Sequence, residues 1–149
     1  MSATLGRGVV AGLAGTAAMT AFQKAIEMPL TGRSDSYAPA SFAEKVLPVR
    51  PGSDSGRKRL NYVTHFALGT MWGTAYGLAA RAGLRGQRAV AVAFLTVYTG
   101  DVLLNTALGL YEPSSWTRRD WAIDIIDKLV QAQATGAAFD YVMGRSPRG

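Results

Sequence analysis

On an α-helix, residues four apart stack on one face, and the stretch His65-Phe-Ala-Leu-Gly69-Thr-Met-Trp-Gly73-Thr-Ala-Tyr-Gly77 therefore aligns His65, Gly69, Gly73 and Gly77 in one ridge. A mid-helix glycine costs about 1 kcal/mol relative to alanine in water, so a water-exposed helix rarely keeps three. In a bilayer the same bare backbone lets a second helix approach closely, and that contact drives association. The stretch is also long enough to cross. Leu60 to Ala80 gives 21 residues without Asp, Glu, Lys or Arg, bounded by Arg59 and Arg81. At about 1.5 Å per residue they cover a hydrocarbon core of about 30 Å. The expectation is an all-α integral membrane protein.

Composition narrows the chemistry. The 149 residues hold no cysteine and one histidine, which leaves no disulfide, thiolate ligand, cysteine nucleophile or histidine-clustered metal site. The formal charge is +6, but the basic residues bracket apolar runs instead of lining one face. Anionic lipid headgroups explain such brackets better than nucleic acid does. No nucleic-acid partner, metal or cofactor is expected.

Four spans follow from the apolar runs, at about 5–28, 60–82, 89–111 and 122–143, in a single domain. The first holds 16 uncharged residues, Gly8 to Gln23, with small residues every four positions at Gly8, Gly12, Thr16 and Thr20. It continues through Phe22, Ile26 and Met28, as a retained helix does and a cleaved leader does not. Lys24 and Glu27 are expected to close this helix by snorkelling. The polar segment 29–59 is read as a loop with a short interfacial helix, capped by Ser41 with Glu44 three residues on, and with Phe42, Val46 and Leu47 on its apolar side. Arg57-Lys58-Arg59 then reads as a headgroup anchor before the second span.

The third span carries Asp101 at its centre. Ten strong apolar residues contribute about −3 to −6 kcal/mol on the insertion scale, against about +2.5 to +3.5 for one central Asp. Pro113 is expected to end this helix, and Trp116, Arg118, Arg119 and Trp121 suit the headgroup zone. The fourth span contains Asp124, Asp127, Lys128 and Asp140. It crosses if its core runs from about Ile125 to Met143, or if the other three helices wrap it. A shift of 63 residues aligns His65 with Lys128, Gly73 with Gly136, Tyr76 with Phe139 and Gly77 with Asp140, a repeat of the kind common in transporters. Basic residues divide six (Arg7, Arg81, Arg85, Arg88, Arg145, Arg148) against eight on the other side, and the compact Arg81–Arg88 turn favours cytoplasmic termini.

Ionisable residues inside spans are costly and mark candidate sites. Asp101 shares a face with Tyr98 and Asn105; this group can carry a proton or cation, or it can fix helix register by pairing with Asn105, His65, Lys24 or Lys128. His65 titrates near neutrality when free, or else serves as an interfacial hydrogen-bonding group. Asp124, Lys128, Gln131 and Thr135 form a polar stripe beside Asp127, and Asp124 and Lys128 are spaced to neutralise each other. Gly8, Gly12, Gly69, Gly73, Gly77 and Gly136 are the expected helix-packing positions. Hydrolase, metalloprotease, P-loop and dinucleotide motifs are missing, so no enzymatic activity is expected.

The His65 helix with its glycine and aromatic spacing, and Pro113-Ser-Ser-Trp116 leading into the last helix, resemble the YagU-like group of small bacterial inner-membrane proteins. Asp127-Lys128 stands where that group has a Gly-His pair. The resemblance implies a helical fold in a bacterial-type plasma membrane, and no assigned mechanism. Two functions remain in view. One is a small proton- or ion-linked transporter or channel-like protein. The other is an accessory or assembly subunit whose polar residues specify packing, as a homo-oligomer or with another membrane protein.

Overall fold

Local chemistry sets the helix ends. The computed structural model describes residues 2–144 and is all-helical there, with five helices and no strand among the described residues. Helix α1 (Ser2–Phe22) runs on without a break through a π-helical turn, Gln23–Glu27, and a last α-turn, Met28–Thr31. Gly32, at φ +71°, stops it. Helix α2 is Ala38–Val46, α3 Asp54–Arg81, α4 Gly86–Ala107 and α5 Arg118–Gly144, with a short 3-10 turn at Pro113–Ser115. Two helical rods, Ala3–Thr31 and Gly86–Ala107, are long and apolar enough to cross a membrane. Arg145 and Arg148, counted in the charge balance, lie outside the described residues.

Capping explains where the elements begin and end. The Ser53 hydroxyl accepts from Gly56 N at 3.1 Å and opens α3. Gly83 (φ +90°) closes it, with Leu84 N bonded to Ala79 O and Gly83 N to Ala80 O. The same glycine-based motif ends α4: Gly109 (φ +73°) follows Leu108, and Leu110 N reaches Asn105 O. The third helix therefore stops at Ala107, ahead of the expected end near Tyr111, and Gly109 does what Pro113 was expected to do. Thr117 and Asp120 exchange side-chain-to-backbone hydrogen bonds at 2.9 and 3.2 Å and start α5.

The short helix is not capped by Ser41. It begins one turn earlier, with Pro39 in its first turn, where a missing N–H costs nothing. Ser41 and Glu44 instead bind the guanidinium of Arg57, with Nε 2.9 Å from Glu44 Oε1 and Nη2 3.0 Å from Ser41 Oγ. Arg57 thus belongs to a tertiary contact between α2 and α3. Glu44 beside it raises its already high pKa further. Ala40 and Ala43 are buried, while Val46 and Leu47 stay exposed.

In the bundle, α1 packs along both α3 and α5, and α4 closes the other side against α3 and α5. The glycines decide how close α1 and α3 come. A Cβ on Gly8 would lie 2.7 Å from Gly73 O, and one on Gly12 would lie 2.6 Å from Gly69 O. A Cβ on Gly73 would strike the backbone of Gly8, and one on Gly69 the side chain of Thr16. The two sets of small residues named from sequence therefore meet each other. Gly136 leaves room for Tyr76 and Val90, and Gly77 sits against Phe139. Around them lie Trp72, Tyr76, Ala93, Val97 and Phe139, all buried.

Candidate functional site

At the half of the bundle nearer segment 29–59, the helices separate around a cavity of about 380 Å³. Every helix contributes to it, and residues 33–36 line it as well. His65, Asp101, Asn105, Asp127 and Lys128 all line this space. Tyr98, named with them, is not among the lining residues; its hydroxyl donates to Asp124 Oδ2 at 2.7 Å, joining α4 to α5. Gly69 borders the cavity from the glycine ridge.

The π-helical turn shapes the α1 wall. Gly12 and Met19 face inward, and an unbroken α-helix would carry Ile26 onto the same face a heptad later. One extra residue in the turn brings Glu27 inward instead, only 9% exposed, and turns Ile26 out. Glu27 therefore does not snorkel. It accepts from the Thr31 hydroxyl at 2.8 Å and pairs with Arg33 at 4.0 Å. Lys24, on the outer edge of the turn, pairs with Asp35 at 3.1 Å.

On the facing helices, Asn105 Nδ2 donates to Asp101 Oδ1 at 3.0 Å, and Lys128 Nζ lies 3.7 Å from Asp101 Oδ2. Lys128 thus neutralises Asp101 across the α4–α5 seam, and not Asp124 one turn away on its own helix. Asp124 is held instead by the Tyr98 hydroxyl. Asp127, 6% exposed, accepts from Gln23 Nε2 at 2.8 Å. His65 Nε2 is 3.1 Å from Thr20 Oγ1, whose own proton goes to Thr16 O. Thr20 can then only accept, which assigns the Nε2–H tautomer to a neutral His65.

Gln23, Glu27 and Thr16 were not singled out from sequence as site residues, and Gln131 appeared only as part of a stripe. The Gln131 amide donates to Thr16 Oγ1 at 2.9 Å, while Thr16 donates to Gly12 O. That order fixes the amide orientation and leaves Gln131 Oε1 without a donor. Asp101 Oδ2 and Asp127 Oδ1 are also buried without a hydrogen-bond donor. Among the described residues no group of three His, Cys, Asp or Glu is arranged to hold a metal ion. Comparison with protein families, curated proteins and solved structures finds no match for this chain.

Proposed function

We propose that this chain is a four-span protein of a bacterial-type plasma membrane, with cytoplasmic termini, that carries a small solute or ion through the polar cavity in a proton-linked cycle. The outer surface supports the membrane reading. Val10, Leu13, Val63, Met71, Val92, Leu95, Leu103 and Ile126 are all exposed on the outer surface, while the interior holds polar Thr16, Asp127 and Thr135 beside Ala11, Tyr76 and Phe139. Only 28% and 22% of the apolar windows in the two most hydrophobic rods are buried. In water such a surface would be an aggregation hazard; in lipid it is the expected arrangement. Membership of the YagU-like group is part of the same proposal.

One observation carries the transport reading: Asp101 ion-paired to Lys128, and a nearly buried Asp127, line the same cavity as His65. Charges in lipid are expensive, and those that face an internal cavity mark pathways for protons, ions or solutes. The accessory-subunit reading draws on a different fact, that the Asp101–Lys128 and Tyr98–Asp124 contacts each tie α4 to α5. Reconstitution into liposomes with an internal pH-sensitive dye separates the two. Asp101→Asn that still folds in detergent, even at a lower melting temperature, but loses flux supports transport. A wild-type protein with no flux, and an Asp101→Asn variant that fails to assemble, would leave packing as the role.

A further inference from the structure

The cavity's charges do not balance. Its three cationic side chains are each spent on a carboxylate: Lys24 on Asp35, Arg33 on Glu27 and Lys128 on Asp101. Two more carboxylates of the lining, Asp124 and Asp127, receive hydrogen bonds from neutral donors, Tyr98 and Gln23. Five acids against three bases leaves a formal charge of −2 with His65 neutral. The hydrogen-bond ledger tilts the same way. Asp127 Oδ1 and Gln131 Oε1 belong to side chains 6% and 2% exposed, and neither has a donor; Asp101 Oδ2 has the Lys128 charge nearby but no hydrogen bond. Every one of these orphaned atoms is an acceptor. What complements them is a positive group bearing N–H donors.

Asp124, Asp127 and Gln131 lie three and four residues apart on one face of α5, about one turn between neighbours. The other walls include Met19, Leu68, Trp72 and Tyr111. Such walls suit an apolar body, and the rings can stack against a cation. A bare metal ion fits poorly, given no three-ligand group among the described residues. The volume falls within the range of small-molecule sites.

We propose that the cavity binds a small organic cation with N–H donors and an apolar body, its charged head held by Asp127 and Gln131 on α5. This deepens the transport reading by naming a substrate class, but it stands on the cavity's own acceptors. The test uses the purified full chain in detergent, with benzylammonium, benzyltrimethylammonium, benzyl alcohol and sodium ion as probes in calorimetric titration. Benzylammonium should bind at least tenfold more tightly than each of the other three, since one lacks donors, one lacks charge and one lacks the apolar body. Asp127→Asn, which keeps an acceptor for Gln23, should weaken benzylammonium at least tenfold. If that variant does not fold, the wild-type comparison alone decides. Equal binding of charged and neutral probes, preference for sodium, or no benzylammonium binding at millimolar concentration would each overturn the proposal. Benzylammonium binding without flux in liposomes would instead refute transport and leave the cation site standing. Proton flux without benzylammonium binding would do the reverse.

Discussion

The two halves of this bundle use the same helices to opposite ends. Where Gly8 and Gly12 meet Gly73 and Gly69, backbone touches backbone and there is no space for even a methyl group. Half a helix away, around Glu27, Asp101 and Asp127, the same rods stand apart around a cavity lined by charge. Glycine removes side chains at one end, so packing there is fixed by the main chain itself. Carboxylates and amides occupy the other end, where the chain accepts desolvated polar atoms that no packing requirement explains. The tight end holds the frame that lets the open end persist.

Breaking the tight end should have the largest effect. Gly73→Leu places a branched side chain against the Gly8 backbone, which cannot yield as a flexible side chain would. Overpacking of this kind costs about 1–3 kcal/mol where neighbours can adjust, and more where they cannot. The folded bundle should be lost in a detergent melting experiment. Asp101→Asn probes the open end: Lys128 loses its counter-charge, with both side chains only 23% and 20% exposed. We expect the variant to fold with a loss of about 1–3 kcal/mol, the cost of leaving a largely buried polar group without its partner, and to lose flux. Thr117→Ala removes half of the box that starts α5 and should cost about 1 kcal/mol.

Two smaller effects sharpen the contrast. Hydrogen bonds from the Thr117 hydroxyl and backbone hold the Asp120 carboxyl below the ordinary carboxylate range. A group whose pKa is lower folded than unfolded stabilises the fold above its unfolded value and loses that contribution as pH falls through the folded value. Melting temperature should therefore decline on acidification below about pH 4, the ordinary carboxylate pKa, and Thr117→Ala should flatten that slope. Gly100→Ala should be harmless, because nothing lies within 4 Å of the added methyl. A gain of up to about 1 kcal/mol is expected from helix propensity. Comparable damage from Gly100→Ala and Gly73→Leu would erase the distinction between structural and incidental glycines.

Much of this was legible in the sequence because it depends on spacing along one helix. The four-residue rhythm of Gly8 and Gly12, and of Gly69 and Gly73, named both sides of a contact before either was placed. Asp101, Asn105, Asp127, Lys128 and His65 were marked by the cost of putting them in an apolar run, and they line one cavity. What escaped depends on geometry between helices or on a change of period. The π-helical turn shifts the inward face from Ile26 to Glu27, and a fixed 3.6-residue rhythm cannot anticipate it. Lys128 pairs with Asp101 and Tyr98 bonds Asp124, both across the α4–α5 seam, where spacing along α5 pointed to Asp124 for Lys128. Gln131 and Thr16 hydrogen-bond to each other from 115 positions apart, which no spacing along one helix reveals.

The central claim is that the long helices cross a bilayer. Carbonate extraction of membranes from expressing cells, combined with topology reporters fused after Arg57, Arg85, Ser115 and Gly149, tests it directly. The account predicts retention in the membrane pellet and reporters that alternate, with Arg85 and Gly149 on the cytoplasmic side. Release of the protein into the soluble fraction would contradict it, and the outward-facing leucines and valines would then require a protein partner in place of lipid.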